Sequence, residues 1–241
     1  MNKHKLFLNG EWLDSATGET FEDINPATLE PIGLFQKGSM DDVNHAVDSA
    51  EEAFDSWSST PAPQRAKILY RAARLLEERK EELARLMTSE NGKVLLEARG
   101  DVQEAIDMAY YAAGEGRRLF GETTPSELPN KFCMTVRRPI GVVGLITPFN
   151  FPLAIPAWKI MPALVSGNTM VLKPSSDTPL LAVELIKILS HAGVPEGVIN
   201  LVTGVGREAG AALVKSRQVK AISFTGSLET GKWILSESGK D

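Results

Sequence analysis

A chain of 241 residues suits one large domain or one and a half. Hydrophobic residues make up 43% and charged residues 24%, the balance of a globular protein able to bury a sizeable core. The 26 lysines and arginines against 31 acids leave a net charge of −5, which argues against a nucleic-acid groove or an anionic membrane surface as the main partner.

Along the chain, the N-terminal apolar stretch is interrupted at once by Asn9-Gly10-Glu11, unlike a signal peptide. No run of about 18 apolar residues exists, so no membrane span is expected. Residues 5–36 read as short strands with turns between them, and Asn9-Gly10 between Leu6-Phe7-Leu8 and Glu11-Trp12 is a strong hairpin signal. From Met40 to about Gly121 the pattern turns helical. Val43, Val47, Ala50, Phe54 and Trp57 recur at three- and four-residue steps, as do Ile68, Ala72, Leu75 and Leu76, with charged residues on the other face. Residues 132–138 alternate weakly and read as a strand. This strand holds the single cysteine, Cys133, which excludes an intrachain disulfide and fits a reducing cytoplasm. His4, His45 and His191 are isolated and offer no metal-ligand spacing, so no metal site is expected.

A regular rhythm then begins. Residues 142–146, 169–172, 198–202 and 220–224 are short β-branched-rich runs, and helical patterns fall near 154–166, 179–192, 207–216 and 228–237. Strands alternating with helices imply parallel βαβ units, whose ligands bind beyond the carboxyl ends of the strands. The four loops there are the candidate site. Thr147-Pro148-Phe149-Asn150-Phe151-Pro152 holds Asn150 between stiff prolines, either to donate to an oxyanion or as an ordinary Asx turn. In Lys173-Pro174-Ser175-Ser176-Asp177-Thr178-Pro179, Lys173 and the hydroxyls could meet ribose or phosphate, while Asp177 or Thr178 could cap the next helix. Thr203-Gly204-Val205-Gly206 enters a helix through two close glycines but lacks the GxGxxG spacing. Gly226 to Lys232 nearly fits a nucleoside-triphosphate P-loop, but the position that should hold Mg²⁺ is Trp233, which rejects one. What remains is a helix start after Thr225-Gly226-Ser227, suited to an anionic pyrophosphate.

Together these words resemble the aldehyde dehydrogenase superfamily: Thr-Pro-Phe-Asn-Phe-Pro at 147–152, Trp158-Lys159-Ile160-Met161-Pro162, Ser166-Gly167-Asn168-Thr169, Lys173-Pro174-Ser175, Gly193-Val194-Pro195-Glu196-Gly197, and Phe224-Thr225-Gly226-Ser227. Asn9-Gly10-Glu11-Trp12 and Asn25-Pro26-Ala27-Thr28 fit as well. The resemblance implies an α/β fold with a Rossmann-like parallel sheet and flanking helices. An N-terminal hairpin and helical segment precede that sheet, and a bridging oligomerisation strand completes the fold. Residues 1–121 and 140–241 would form the NAD(P)-binding domain, and 122–139 the bridge.

By the same resemblance Asn150 would stabilise the oxyanion, and Lys159 would relay protons. Ile146, Thr147, Pro148, Phe149, Lys173, Ser175, Ser176, Gly206, Phe224, Thr225, Gly226 and Ser227 would meet the cofactor. Phe151, Leu153 and Trp158 would wall the substrate channel. Many members carry Glu where this chain has Ser176; without that carboxylate a 2′-phosphate is not repelled, so NADP⁺ is expected to bind at least as well as NAD⁺. The family's catalytic cysteine and glutamate follow the Thr-Gly-Ser helix, beyond Asp241. Cys133 and Glu237 are not expected to replace them. The expectation is therefore the cofactor-binding part of an enzyme oxidising an aldehyde to a carboxylic acid, inactive alone, with a homo-oligomer or a missing catalytic half as partner. The alternatives are a CoA-acylating relative, or a nucleotide-binding or interaction module without redox chemistry.

Overall fold

The computed structural model describes residues 2–240; Met1 and Asp241, the outer bounds of the expected cofactor domain, lie outside the described residues. Short strands open the chain: β1 (Lys3–His4), β2 (Leu6–Leu8), β3 (Glu11–Leu13), β4 (Thr20–Ile24) and β5 (Pro31–Gln36). The β2–β3 hairpin turns on Asn9 (φ 49°) and Gly10 (φ 83°), the two positive φ values that a tight hairpin loop requires. Four helices follow: α1 (Met40–Ser59), α2 (Ala62–Glu78), α3 (Lys80–Asn91) and α4 (Leu95–Glu115). Helix α1 begins with a reciprocal cap, in which the Ser39 hydroxyl accepts from Asp42 N and Asp42 Oδ2 accepts from Ser39 N at 2.8 Å.

The expected strand at 132–138 shrinks to β7 (Cys133–Met134), paired only with β6 (Thr123–Thr124) in an exposed two-stranded ribbon. No further strand borders this ribbon among the described residues, so its ladder ends where the one pairing partner ends.

The second half gives β8 (Val142–Ile146), α5 (Ala154–Ser166), β9 (Thr169–Lys173), α6 (Pro179–Ala192), β10 (Ile199–Leu201), α7 (Ala211–Lys215), β11 (Val219–Phe224) and α8 (Leu228–Ser238). The helix expected at 207–216 opens instead with a π-helical turn at Gly206–Gly210, before the α-helical register of α7. Glycines at both ends of this turn weaken ordinary helical register, and such turns gather at functional sites.

The six-stranded sheet runs in the order β11-β8-β9-β10-β2-β3. Strands β11, β8, β9 and β10 are parallel, as the βαβ rhythm implies, and the N-terminal hairpin adds two antiparallel strands beside β10. Helices α5 and α6, with α2 and α4 outside them, bury one apolar core against the sheet; α1 and α7 cover the other face. This is the α/β, Rossmann-like architecture expected. The close approach of α7 to the sheet depends on Gly144, where a Cβ would meet Ile222 Cδ1 at 2.5 Å and Leu213 Cγ at 3.1 Å. No helix among the described residues is long and apolar enough to cross a membrane.

Candidate cofactor and oxyanion site

Strand β8 connects through α5 to β9 on one side, while β11 lies on its other side, so the strand order reverses at β8. In parallel sheets the crevice at such a reversal is where ligands bind. Here it opens into a cleft of about 580 Å³, lined by Ile146 at the end of β8, Gly206, Arg207, Gly210 and Ala211 of the π-helical turn and α7, and Glu229, Thr230 and Trp233 of α8. Its volume lies within the usual range for a small-molecule site, about 300–1,000 Å³. A Cβ at Gly206 would meet nothing within 4 Å, so the rim there is bare backbone facing open space.

Lys173 ends β9 and is only 5% exposed, with its Cδ 4.0 Å from where a Cβ on Gly210 would stand. Burial lowers its pKa to about 8, and Asp177 partly offsets this. A buried ammonium beneath bare glycine backbone suits an anionic or polyhydroxyl ligand. Ser175 makes a local turn, its hydroxyl accepting from Asp177 N at 3.3 Å. Thr225, Gly226 and Ser227 are exposed at the start of α8, where the Ser227 hydroxyl caps the helix by accepting from Thr230 N at 3.2 Å. Phe224 lines the outer groove beside β11, so the cleft itself gathers only Ile146 and Gly206 from the predicted cofactor set. Phe149 and Ser176 line a neighbouring cavity, Pro148 is half-buried, and Thr147 is buried with an unpaired Oγ1.

The loop carrying Asn150 is held from outside. Asn91 Nδ2 donates to Phe149 O at 2.8 Å, and Lys93 Nζ donates to Asn150 O at 2.7 Å and to Asp101 Oδ2 at 3.0 Å. Asp101 Oδ1 accepts from Ala154 N at 2.8 Å, which caps the start of α5. Burial raises the Asp101 pKa, and Lys93 opposes that shift. Lys93 Nζ also lies 4.4 Å from the centre of the Phe151 ring, a cation–π contact. These contacts pin both carbonyls flanking Asn150 while its side chain stays exposed with no hydrogen bond closing an Asx turn.

Phe151 and Trp158 stack with ring centroids 6.3 Å apart, and Trp158 is 39% exposed. Leu153 does not join them; it is wholly buried in the core. Lys159 Nζ donates to Ser223 Oγ at 3.0 Å across to β11, and burial lowers its pKa. Asn91, Lys93 and Asp101 carry no local motif. Only the left-handed Gly92 (φ 82°) between α3 and α4 marks where the chain turns to present them.

Neither Asp177 nor Thr178 caps α6, contrary to the alternative that the sequence leaves open. The cap comes from α3, where Glu90 accepts from Leu180 N at 2.5 Å and Leu181 N at 3.2 Å. Pro179 at the first position offers no N–H, so a carboxylate reaching the next two amides satisfies the helix start better than either neighbour.

Residues 12–241 match the profile described as the aldehyde dehydrogenase family. The chain belongs to the aldehyde dehydrogenase family. It is 43% identical over 235 residues to alpha-ketoglutarate semialdehyde dehydrogenase of Haloferax volcanii, covering 97% of this chain and 49% of that protein. It is 46% identical over 231 residues to 2,5-dioxopentanoate dehydrogenase of Saccharolobus solfataricus, covering 94% and 48%. Among solved structures, an NADP-dependent enzyme of Escherichia coli superposes with a TM-score of 0.97 at 40% identity, over 100% of this chain and 50% of that one. Betaine aldehyde dehydrogenase of Staphylococcus aureus, solved with NAD⁺, superposes with a TM-score of 0.96 at 37% identity, over 99% and 49%. The chain therefore spans about half the length of the relatives that it matches.

Proposed function

We propose that this chain forms the cofactor-binding part of an aldehyde dehydrogenase that oxidises an aldehyde to a carboxylic acid with NADP⁺ or NAD⁺. The observation that carries this reading is the cleft at the β8/β11 reversal, with bare backbone at Gly206 on its rim and buried Lys173 packed beside Gly210. A nicotinamide dinucleotide, when bound, would supply the hydride acceptor. Lys173, Ser175 and Ser176 would hold the adenosine ribose, and Gly206 with Thr225-Gly226-Ser227 would sit beside the pyrophosphate. Ile146, Thr147, Pro148, Phe149 and Phe224 would shape the nicotinamide side.

Asn150, held by its pinned backbone, would donate its side-chain N–H to the developing oxyanion. Preorganised donors of this kind act where charge appears and need no rearrangement during the reaction. Lys159 would hold or pass a proton beside Ser223, and Phe151 and Trp158 would wall the aldehyde. One relative is named for a semialdehyde substrate, which supports an aldehyde here. The thiolate and carboxylate base of such a reaction would come from outside these residues. Cys133 sits on the separate β6–β7 ribbon and lines neither the cleft nor the Asn150 cavity. Activity would then depend on a catalytic part or partner. The open edge of β11, beside a groove of about 1,080 Å³ with exposed Leu235, supports association on that side. Exposed Phe132, Met134 and Val136 support residues 122–139 as the bridge between copies. The free Cys133 suits a reducing cytoplasm.

Calorimetric titration with both cofactors tests the reading, and NADP⁺ is expected to bind at least as tightly as NAD⁺. Ser176→Glu should weaken NADP⁺ by roughly tenfold or more, the effect of about 1.4 kcal/mol of repulsion, and spare NAD⁺. Strong NAD⁺ preference in the unsubstituted chain would remove the NADP⁺ assignment. Failure to bind either cofactor would remove the function.

A further inference from the structure

The second half of α1 carries negative charge that nothing within the chain answers. Asp48, Glu51, Glu52 and Asp55 recur at three- and four-residue steps, so they share one side of the helix, and all four are exposed. The helix holds no lysine or arginine, and among the described residues none of the four acids forms an ion pair. Asp48 accepts only a neutral amide hydrogen bond, from Gln218 Nε2 at 2.9 Å. Like charges at these spacings repel one another, so the isolated chain is destabilised here.

Beyond these acids the sign of the surface changes. A groove of about 810 Å³ runs between the end of α1 and the start of α2, where Phe54 and Ala62 line it with Arg65, Arg137 and Arg138, and no carboxylate does. Arg65 is 6% exposed and donates to the carbonyls of Val165, Trp57, Ser58 and Thr60 at the ends of α5 and α1, so helix ends and not an acid meet its charge. Arg137 and Arg138 are exposed. Arg137 Nε donates to Phe120 O at 2.9 Å, and Arg138 has no hydrogen bond or ion pair among the described residues. Helix α2 adds the same sign, because its first turn has neither an acid nor a side-chain cap.

We propose that this surface joins two copies of the chain, with the acids Asp48, Glu51, Glu52 and Asp55 of each copy seated at the Arg65, Arg137 and Arg138 groove of the other. Adjacent patches of opposite sign complement themselves when the surface is turned by half a revolution onto a second copy. The acids of one copy then face the arginines of the other, and the pairing occurs twice about a two-fold axis. A small free anion would satisfy the arginines but leave the acids beside them unanswered; a second copy satisfies both. Exposed ion pairs alone hold little, and the half-buried Phe54 and Pro139 of the groove add apolar area to the join. Arg137 and Arg138 lie where the chain returns from the β6–β7 ribbon, so the contact adjoins the proposed bridge. It does not depend on the cofactor reading.

Sedimentation equilibrium of the whole 241-residue chain tests the contact. The unsubstituted chain is expected to dimerise, and raising salt from about 50 to about 500 mM should weaken the dimer about tenfold or more. Arg137→Glu with Arg138→Glu sets acids against acids and should weaken the dimer by a similar factor at low salt. Glu51→Lys with Glu52→Lys should do the same from the other side. An equimolar mixture of the two variants should recover the dimer, because each charge then meets its opposite at both contacts.

Circular dichroism checks that the variants fold. Where a reversal does not, the neutral pair Arg138→Gln and Glu52→Gln should each weaken the dimer in the same direction by a smaller factor. A chain that stays monomeric at about 100 μM and low salt would overturn the proposal. So would a dimer that salt and both pairs of reversals leave unchanged, which would assign association to the apolar ribbon or the β11 edge. A mixture that stays dissociated would show that these charges do not meet one another. Inorganic phosphate that binds the groove at constant ionic strength, with dimerisation unaltered, would assign the arginines to a free anion instead.

Discussion

Asp101→Ala is expected to lower the unfolding free energy by about 3–5 kcal/mol, the usual cost of breaking a buried ion pair from one side. Asp101 is 1% exposed, and its carboxylate meets Lys93 Nζ at 3.0 Å and Ala154 N at 2.8 Å. Alanine would strand an ammonium whose side chain is only 12% exposed, and would leave the first turn of α5 without an acceptor. Against a typical total stability of about 5–15 kcal/mol, such a loss is large. Asp101→Asn keeps an acceptor for Ala154 and should fall between alanine and the unsubstituted chain. Urea unfolding with an unchanged denaturant slope measures the difference directly. A loss below about 1 kcal/mol would mean that the brace around Asn150 is a surface contact and not the anchor described.

The second large effect is on binding. Lys173→Met keeps most of the apolar stem and removes the charge, and should weaken NADP⁺ by about 1.5–3 kcal/mol, or roughly tenfold to a hundredfold. In the unsubstituted chain, affinity should fall as pH rises through about 8, where the buried ammonium loses its proton. Stability should move the other way. Lys173 is lowered in the folded state, so between about 8 and the ordinary lysine value the unfolded chain binds more protons and stability rises with pH. At neutral pH the methionine variant, relieved of a desolvated charge, should be no less stable than its parent. Isothermal titration at pH 7 and 9, with unfolding curves at both, separates these arms. An affinity independent of pH, together with an unaffected Lys173→Met variant, would remove Lys173 from the binding site.

Those two residues differ in how visible they are in sequence. Lys173 closes a β-branched run and precedes Pro-Ser-Ser, so its place at a strand end follows from the local pattern. The same holds for β8, α5 and α6, whose bounds match the periodicity because each element's apolar face is encoded within its own residues. Asp101 looks like any acid on an amphipathic helix. Its function as a cap depends on Ala154, 53 residues away, and Glu90 reaches α6 across 90 residues to Leu180. No spacing rule connects such positions. The strand expected at 132–138 fails for a related reason: alternation describes a strand only where a neighbour pairs along its length, and β7 finds a partner for two residues.

From its own order of residues, this chain determines the βαβ rhythm, the hairpin at Asn9-Gly10, the family, and the strand-end loops proposed to meet a ligand. These are local properties of periodicity, turn chemistry and motif. The tertiary structure alone decided that Lys93 and Asp101 hold the Asn150 loop, that Leu153 is core, and that Asp23 and Glu90 line one cavity with Ser176 and Asp177 of the loop following Lys173. Burial and charge pairing arise only when distant segments meet, and in a low-dielectric interior they set the energy of each ionised group.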